Sequence, residues 1–451
     1  MMESLQYYNL SSVARVLGST LPGDDDVFSG VSTDTRTLKP GELFLALVGP
    51  NFDGHEHLRE ASDKGAVAAV VSQELSNLSL TQIKVEDTRL ALANLAKARR
   101  NAFGGQVIGL TGSNGKTTVK ELIATILKHK GKVLATQGNF NNDIGLPLTL
   151  LNIQNDETFA VIEMGANHHG EIEFLSSIAR PDVALITNAG AAHLEGFGDV
   201  KGVAKAKGEI FSGLAQGGVA IINADDEYSE YWQNAANDYQ QIRFGIDADD
   251  AEIKANDVNI DANHTVFDLQ TPKDLISIRL SIGGRHNVLN VLAAVAVGYS
   301  QGVDIHEMKR ALELFMPVKG RLDFRKSLRE AIVIDDTYNA NYDSTLAAIN
   351  VLADQQGKKI LILGDMLESG EAAVELHEDI GRIANEKNID ELLAFGELTQ
   401  VAVKAFGANG HFYMEKQQLI DYAKKQLHEN VSILVKGSRG MRMEEIVSQL
   451  V

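Results

Sequence analysis

Residues 108–127 read IGLTGSNGKTTVKELIATIL, a glycine-rich turn followed by a lysine and two threonines. The spacing departs from the usual phosphate loop, G-x-x-x-x-G-K-S/T, because Leu110 stands where the first glycine belongs. The context still suits a phosphate. The run QVIGLT before the turn predicts a strand, and Lys116 to Lys130 predicts a helix whose N-terminal amides face the loop. Gly112 and Gly115 free the backbone to approach phosphate oxygens, Lys116 can span the β- and γ-phosphates, and Thr117 offers a hydroxyl to magnesium. A nucleotide is therefore expected along Thr111, Gly112, Ser113, Asn114, Gly115, Lys116, Thr117 and Thr118.

Outward from this loop, the runs VIGLT, KVLAT, FAVIEMG, VALITN and GVAIIN alternate with helical stretches such as Val200 to Leu214, which predicts a mostly parallel sheet covered by helices. From about Gln241 to Ile282 the runs QIRFG, HTVFDLQ and ISIRLSI carry no helix between them and predict an antiparallel excursion. The helical segment RHNVLNVLAAVAVGYSQG follows, and LFMPVKGRLDF reads as a linker. The alternation then restarts with AIVIDD, KKILILGD, ELLAFG and VSILVKG, a second doubly wound unit. Ahead of the loop, short strands are predicted near FSGVSTDTR and AVAAVV, with a helix from Asp87 to Asn101. With boundaries near Phe103 and Pro317, an α/β chain of three domains is expected, 1–103, 104–316 and 317–451, in keeping with roughly 150 residues per domain.

The 61 acidic and 42 basic residues leave a net charge of −19, which argues against nucleic acid or an anionic membrane as partner. The one basic cluster, KARR at Lys97 to Arg100, reads as a solvated helix face. The absence of cysteine excludes disulfides, thiolate metal sites and a cysteine nucleophile. The first residues lack a signal-peptide pattern, and no apolar run approaches the roughly 18 residues of a membrane helix. A cytoplasmic protein is expected.

In an open α/β sheet the chemistry collects where strands end. Glu163 closes FAVIEMG and His193 follows VALITNAGAAH, placements that suit metal ligands beside the loop. Lys201, Lys205 and Lys207 read from spacing as an exposed helix face. In the last domain Asp335 and Asp336 end a strand before a helix N-capped near Asp343 or Ser344, and Lys436, Ser438 and Arg439 form an anion site in the same topological place.

TGSNGKTT, IEMG, ITNAGAAHLEGFG, AKGEIF, GRHNVLN, GRLD and DDTYNAN, taken in order, resemble the Mur ligase family across the whole chain. The resemblance implies an ATP- and Mg2+-dependent amide ligase of peptidoglycan synthesis, with a substrate-binding domain, a central ATPase domain and a Rossmann-like C-terminal domain. Within the family, VSTDTRTLKPGELFLALVGPNFDGH, GNFNNDIGLPLTLL and LGDMLESG resemble the ligase that joins D-alanyl-D-alanine to UDP-N-acetylmuramoyl-tripeptide. The Asp-Asn-Pro-Arg signature of the ligase that adds the third residue is absent. Two positions depart from the pattern: Tyr342 replaces the proline of Asn-Ala-Asn-Pro, and Ser369 replaces the second leucine of LGDMLELG.

By the same resemblance Thr117, Glu163 and His193 hold magnesium, and Lys207 joins them as a carbamate. Asn287 contacts adenine, and Arg321 and Asp336 reach ATP from the linker and last domain. Lys116, Lys207, His193 and Asp336 are the implied catalytic set. Ser32, Arg36, Asp53, Asn141, Asn142, Asn339, Lys436, Ser438 and Arg439 are the implied substrate contacts. A monomer acting on small molecules is expected. Two alternatives stay open: a sibling such as the third-residue ligase or folylpolyglutamate synthase, and a nucleotide-switched binding protein.

Overall fold

The computed structural model describes residues 8–260, 264–281, 283–316 and 318–451. Pro317, the expected boundary, Ile282, the end of the last alternating run, and the first seven residues lie outside the described residues. Among those described, no helix is long and apolar enough to cross a membrane.

The centre is a nine-stranded sheet in the order Val133–Ala135, Phe159–Glu163, Gln106–Thr111, Val183–Ile186, Val219–Asn223, Gln240–Gly245, Ile253–Ile260, Thr265–Gln270 and Leu275–Leu280. Strand neighbours are parallel as far as Ile253–Ile260, and the last two join antiparallel. The excursion is thus narrower than the sequence suggested. QIRFG pairs parallel with GVAIIN and continues the main sheet. The strand that turns the sheet antiparallel, IKANDVNI, alternates buried and exposed residues only imperfectly and went unread. One face is covered by the helices Lys116–Leu127, Arg285–Ser300 and Ile305–Glu313. The other is covered by Gly145–Leu151, Glu171–Ala179 and Val200–Gly208.

The N-terminal part carries a parallel sheet of four short strands, Val31–Ser32, Leu43–Leu45, Ala68–Val71 and Thr81–Lys84. Helix Thr88–Ala102, capped by Asp87, joins it to the centre. Its Ala91, Leu92 and Leu95 enter the N-terminal core, while Ala93 and Ala96 enter the central one. KARR is consequently a solvated face only at Lys97, which is exposed; Arg99 and Arg100 are buried. Arg99 donates to Ile153 O at 2.5 Å and Arg100 to Ala179 O at 2.9 Å, carbonyls at the ends of two central helices that need donors.

The C-terminal part is a six-stranded sheet in the order Asp323–Lys326, Ile332–Asp336, Val431–Lys436, Lys358–Gly364, Glu391–Phe395 and Gly410–Tyr413, parallel except for its first edge. The segment read as linker therefore ends in an antiparallel edge strand at Asp323. Helix Tyr342–Ala353 is capped two to three residues earlier than expected. Asn341 accepts from Ser344 N at 2.9 Å, and Ser344 Oγ accepts from Asn341 N at 3.1 Å, a reciprocal capping box in which Asp343 takes no part.

Candidate active site

Leu110 is buried inside strand Gln106–Thr111, so the missing first glycine lies in the sheet rather than in the loop. The turns fall at Gly112 (φ +151°) and Gly115 (φ +80°). A Cβ on Gly112 would stand 1.9 Å from Thr187 Oγ1, and one on Gly115 2.3 Å from Asn290 Oδ1, so neither position accepts a side chain. Lys116 opens the following helix and folds back to donate to Gly112 O at 2.6 Å and Ser113 O at 3.2 Å. Burial lowers its pKa to about 8; the Glu163 carboxylate opposes that shift and Arg321 adds to it.

Glu163 ends its strand almost wholly buried, accepting from Thr117 Oγ1 at 3.1 Å and from Asn141 Nδ2 at 2.8 Å. Among the described residues no lysine or arginine forms an ion pair with it. A buried carboxylate bonded only to neutral donors beside a phosphate loop suits a cation. Among the described residues no three His, Cys, Asp or Glu side chains converge as a ready metal site.

Lys207 is the buried member of its lysine cluster. Lys201 and Lys205 are exposed, as their spacing suggested, but Lys207 on the same helix is 1 % exposed, with its ammonium 5.4 Å from the Phe197 ring centre. Burial, and secondarily the charge of Lys116, pushes its pKa down to about 7. At neutral pH a large share is uncharged amine, the form that can add carbon dioxide.

A cleft of about 970 Å³ opens between the central and C-terminal sheets, lined by the loop from Ser113 to Lys116, Glu163, His193, Asn287, Arg321, Asp336, Asn339, Lys436, Ser438 and Arg439 among others. That is near the top of the range for ligand clefts, about 300–1,000 Å³. Asn141 and Asn142 also line it, and Thr117 touches it through Arg321, whose Nη2 donates to Thr117 Oγ1 at 2.9 Å. Arg321 stacks on Tyr338 at 4.1 Å from the ring centre, and its buried Nε has no partner. Asn287 bonds Gly283 O at 2.7 Å and accepts from Asn290 at 3.2 Å.

Across the cleft, Asp336 Oδ2 accepts from buried Lys436 Nζ at 2.5 Å, Lys436 also reaches Asn339 O at 3.1 Å, and Arg439 N donates to Asn339 Oδ1 at 3.2 Å. Asp335 plays a different part, buried against Thr337 and Arg325. Ser32, Arg36 and Asp53 are not brought here. Ser32 bonds Asp34, Arg36 is exposed and paired with Asp34, and Asp53 caps the 3-10 turn at His55.

Several cleft residues escaped the sequence reading. His286 precedes Asn287 and is held near pKa 4 by burial, so it is a neutral imidazole at pH 7. Asn290 could have been found as the residue one turn beyond Asn287 on the same helix face. Asn341 and Asp343 reach across from the C-terminal part to Asn114 Oδ1 at 2.9 Å and Ala191 N at 2.7 Å. No local pattern signals such contacts.

Comparison with known proteins matches residues 27–100 to "Mur ligase family, catalytic domain", 110–298 to "Mur ligase middle domain" and 320–439 to "Mur ligase, glutamate ligase domain". The UDP-N-acetylmuramoyl-tripeptide–D-alanyl-D-alanine ligase of Escherichia coli K12 is 43 % identical over 443 residues, 98 % of each chain. Among solved structures, MurF from Acinetobacter baumannii superposes with a TM-score of 0.94 at 33 % identity, covering 99 % of both chains. MurF ligase from Thermotoga maritima in complex with ADP gives 0.82 at 29 %, covering 93 % of this chain and 96 % of that one. The chain belongs to the Mur ligase family.

Proposed function

We propose that the protein joins D-alanyl-D-alanine to the tripeptide carboxylate of UDP-N-acetylmuramoyl-tripeptide at the expense of ATP, the step that completes the UDP-muramoyl-pentapeptide of peptidoglycan synthesis. The observation that carries this reading is the 43 % identity to the E. coli ligase over an alignment that spans 98 % of both chains. The protein acts as a cytoplasmic monomer on small-molecule substrates.

A carboxylate does not condense with an amine unaided, because oxide is too poor a leaving group. A tripeptide carboxylate oxygen attacks the γ-phosphorus, the bond to the β–γ bridging oxygen breaks, and ADP leaves with that electron pair. The acyl phosphate then receives the neutral amine of D-alanyl-D-alanine at its carbonyl carbon; phosphate departs and the amine proton is released. Loop amides from Gly112 to Thr117 cradle the phosphates, and Lys116 exchanges its bonds to Gly112 O and Ser113 O for phosphate oxygens. Arg321 and the adjoining Asp336–Lys436 pair meet the nucleotide from the C-terminal side. Asn287 orients the base, with Asn290 fixing its amide. Asn339, Ser438 and Arg439 face the acceptor, while Ser32, Arg36 and Asp53 hold the UDP end and Asn141 and Asn142 the peptide.

Thr117, Glu163, His193 and the carbamate of Lys207 would hold Mg2+, which when bound neutralises phosphate oxygens during transfer. The ADP complex of the Thermotoga maritima relative supports the nucleotide assignment.

The test is phosphate release in the presence of UDP-muramoyl-tripeptide and a panel of amines. Release that depends on D-alanyl-D-alanine is expected. Turnover with a single amino acid but not the dipeptide would assign the chain to a sibling ligase, and ATP hydrolysis indifferent to any amine would make it a nucleotide switch.

A further inference from the structure

The Nδ1 of His193 lies 2.7 Å from Glu368 Oε2, a contact made across the cleft by a residue of the C-terminal part. Both residues adopt left-handed backbone, His193 at φ +54° and Glu368 at φ +64°, a region that non-glycine residues enter at a cost. The Glu368 side chain is 55 % exposed, so the pair itself stabilises the fold little, less than the two backbones cost. Strain of this kind persists only where the surroundings impose it, and here they do. Met366 N donates to Nε2 of buried His377 at 2.9 Å, and His377 Nδ1 donates to Ala373 O at 2.6 Å. Leu367 N donates to Ser438 Oγ at 2.8 Å, and Ser369 Oγ to Met366 O at 3.0 Å. Beyond Glu368, Gly370 turns at φ +60° against Glu195, where a Cβ would come 3.3 Å from the Glu195 backbone nitrogen. The loop after strand Lys358–Gly364 is thus braced from three sides to present one carboxylate to one imidazole.

We propose that Glu368 is a positioning residue: by accepting the His193 Nδ1 proton it fixes the imidazole's orientation and tautomer, leaving the Nε2 lone pair free, and it does so only while the C-terminal part is closed over the phosphate loop. The inference rests on the reading of His193 as a cation ligand. Partners that orient a ligating histidine through its second nitrogen are a general requirement of metal sites. This one is unusual in arriving from another domain, which makes completion of the site conditional on closure. Ser369, which departs from the family pattern beside it, is buried, and its short side chain fits there with the hydroxyl bonded inside the loop, which leaves Glu368 where it is.

The test uses the full chain labelled with 15N-histidine, with His193→Ala assigning the resonances. Without metal, and with an ATP analogue and UDP-substrate holding the cleft closed, His193 of the wild type is expected as the Nδ1–H tautomer, and Glu368→Ala is expected to shift it toward Nε2–H. In steady state Glu368→Ala should lower kcat about tenfold and raise the half-saturating Mg2+ concentration, with KM for ATP and the melting temperature little changed. Glu368→Gln, whose amide oxygen still accepts, should recover most of the activity. An unchanged tautomer in Glu368→Ala, or wild-type kcat, overturns the proposal; so does a lowered Mg2+ requirement, which would make Glu368 a competitor of the ion. Full activity in His193→Ala would instead sink the ligand reading, while the tautomer measurement still reports on Glu368.

Discussion

Lys207 is the buried side chain on which the proposed metal site turns. A lysine of ordinary pKa near 10.5 is held to about 7, so between those values the unfolded chain binds a proton that the folded chain lacks. Folding stability therefore rises with pH through that window, and the full cost of the buried amine is carried below about pH 7. In carbon-dioxide-free buffer Lys207→Met should raise the unfolding midpoint near neutral pH, and the advantage should shrink as the pH approaches 10.5, as calorimetry can check. On the proposed reading, the same substitution should lower ligase activity by about 100-fold or more, because the carbamate that would hold Mg2+ cannot form. Lys207→Ala should regain activity with added formate or acetate; a variant as active as the wild type, or one that no carboxylate rescues, removes the carbamate from the mechanism.

Why this lysine was not legible is a matter of periodicity. Lys201, Lys205 and Lys207 share one short helix, and spacing alone assigns all three to solvent; only the packing of Phe197 and the neighbouring helices separates the third. Glu163 and His193 were legible because strand ends beside a phosphate loop are few and their residue types are distinctive. Glu368 and Asp343 were not, since each meets its partner some 150 residues or more away in the chain, as the Asp343–Ala191 separation of 152 illustrates.

At the scale of elements, the strand and helix order was readable wherever apolar runs were continuous and buried on both faces, as in VIGLT, FAVIE and VALI. It failed at short or half-exposed edges such as DFRK and GHFY, whose composition does not distinguish an edge strand from a loop. The start of helix Tyr342–Ala353 adds a second lesson. Tyr342 occupies the first helical position, where the family pattern has proline and where proline is favoured because its missing N–H is not needed. Tyrosine gives up that preorganisation and gains a bond from its hydroxyl to Asp379 on helix Ala373–Glu386, tying two helices that flank the acceptor side. Tyr342→Phe should therefore cost about 1 kcal/mol in urea unfolding of the C-terminal part, the worth of one partly exposed hydrogen bond. Tyr342→Pro should cost less than that, with ligase activity retained. A loss of activity in the proline variant at unchanged stability would instead place the phenol in substrate binding.

At the scale of the whole molecule, the two joints between domains differ in kind. The N-terminal part is fused to the centre by a helix that contributes to both cores and by two buried guanidiniums, so it moves with the phosphate loop. The C-terminal part is tied by a linker carrying exposed Leu314 and Met316 and by a handful of polar contacts across the cleft, among them Asn341 to Asn114, Asp343 to Ala191, Arg321 to Thr117, Tyr338 to Asn139 and Glu368 to His193. Each such bond is worth about 0.5–1.5 kcal/mol net, so closure is balanced closely enough for bound nucleotide to decide it. Small-angle scattering should show the protein more compact with an ATP analogue and UDP-substrate than without them. The double variant Asn341→Ala, Asp343→Ala should be more open than the wild type without ligand, with a raised KM for ATP and an intact N-terminal joint. Equal compactness with and without ligands would mean that the C-terminal part is held as rigidly as the N-terminal one. The cross-cleft bonds would then be constitutive, and Glu368 would orient His193 at all times instead of only when substrate is in place.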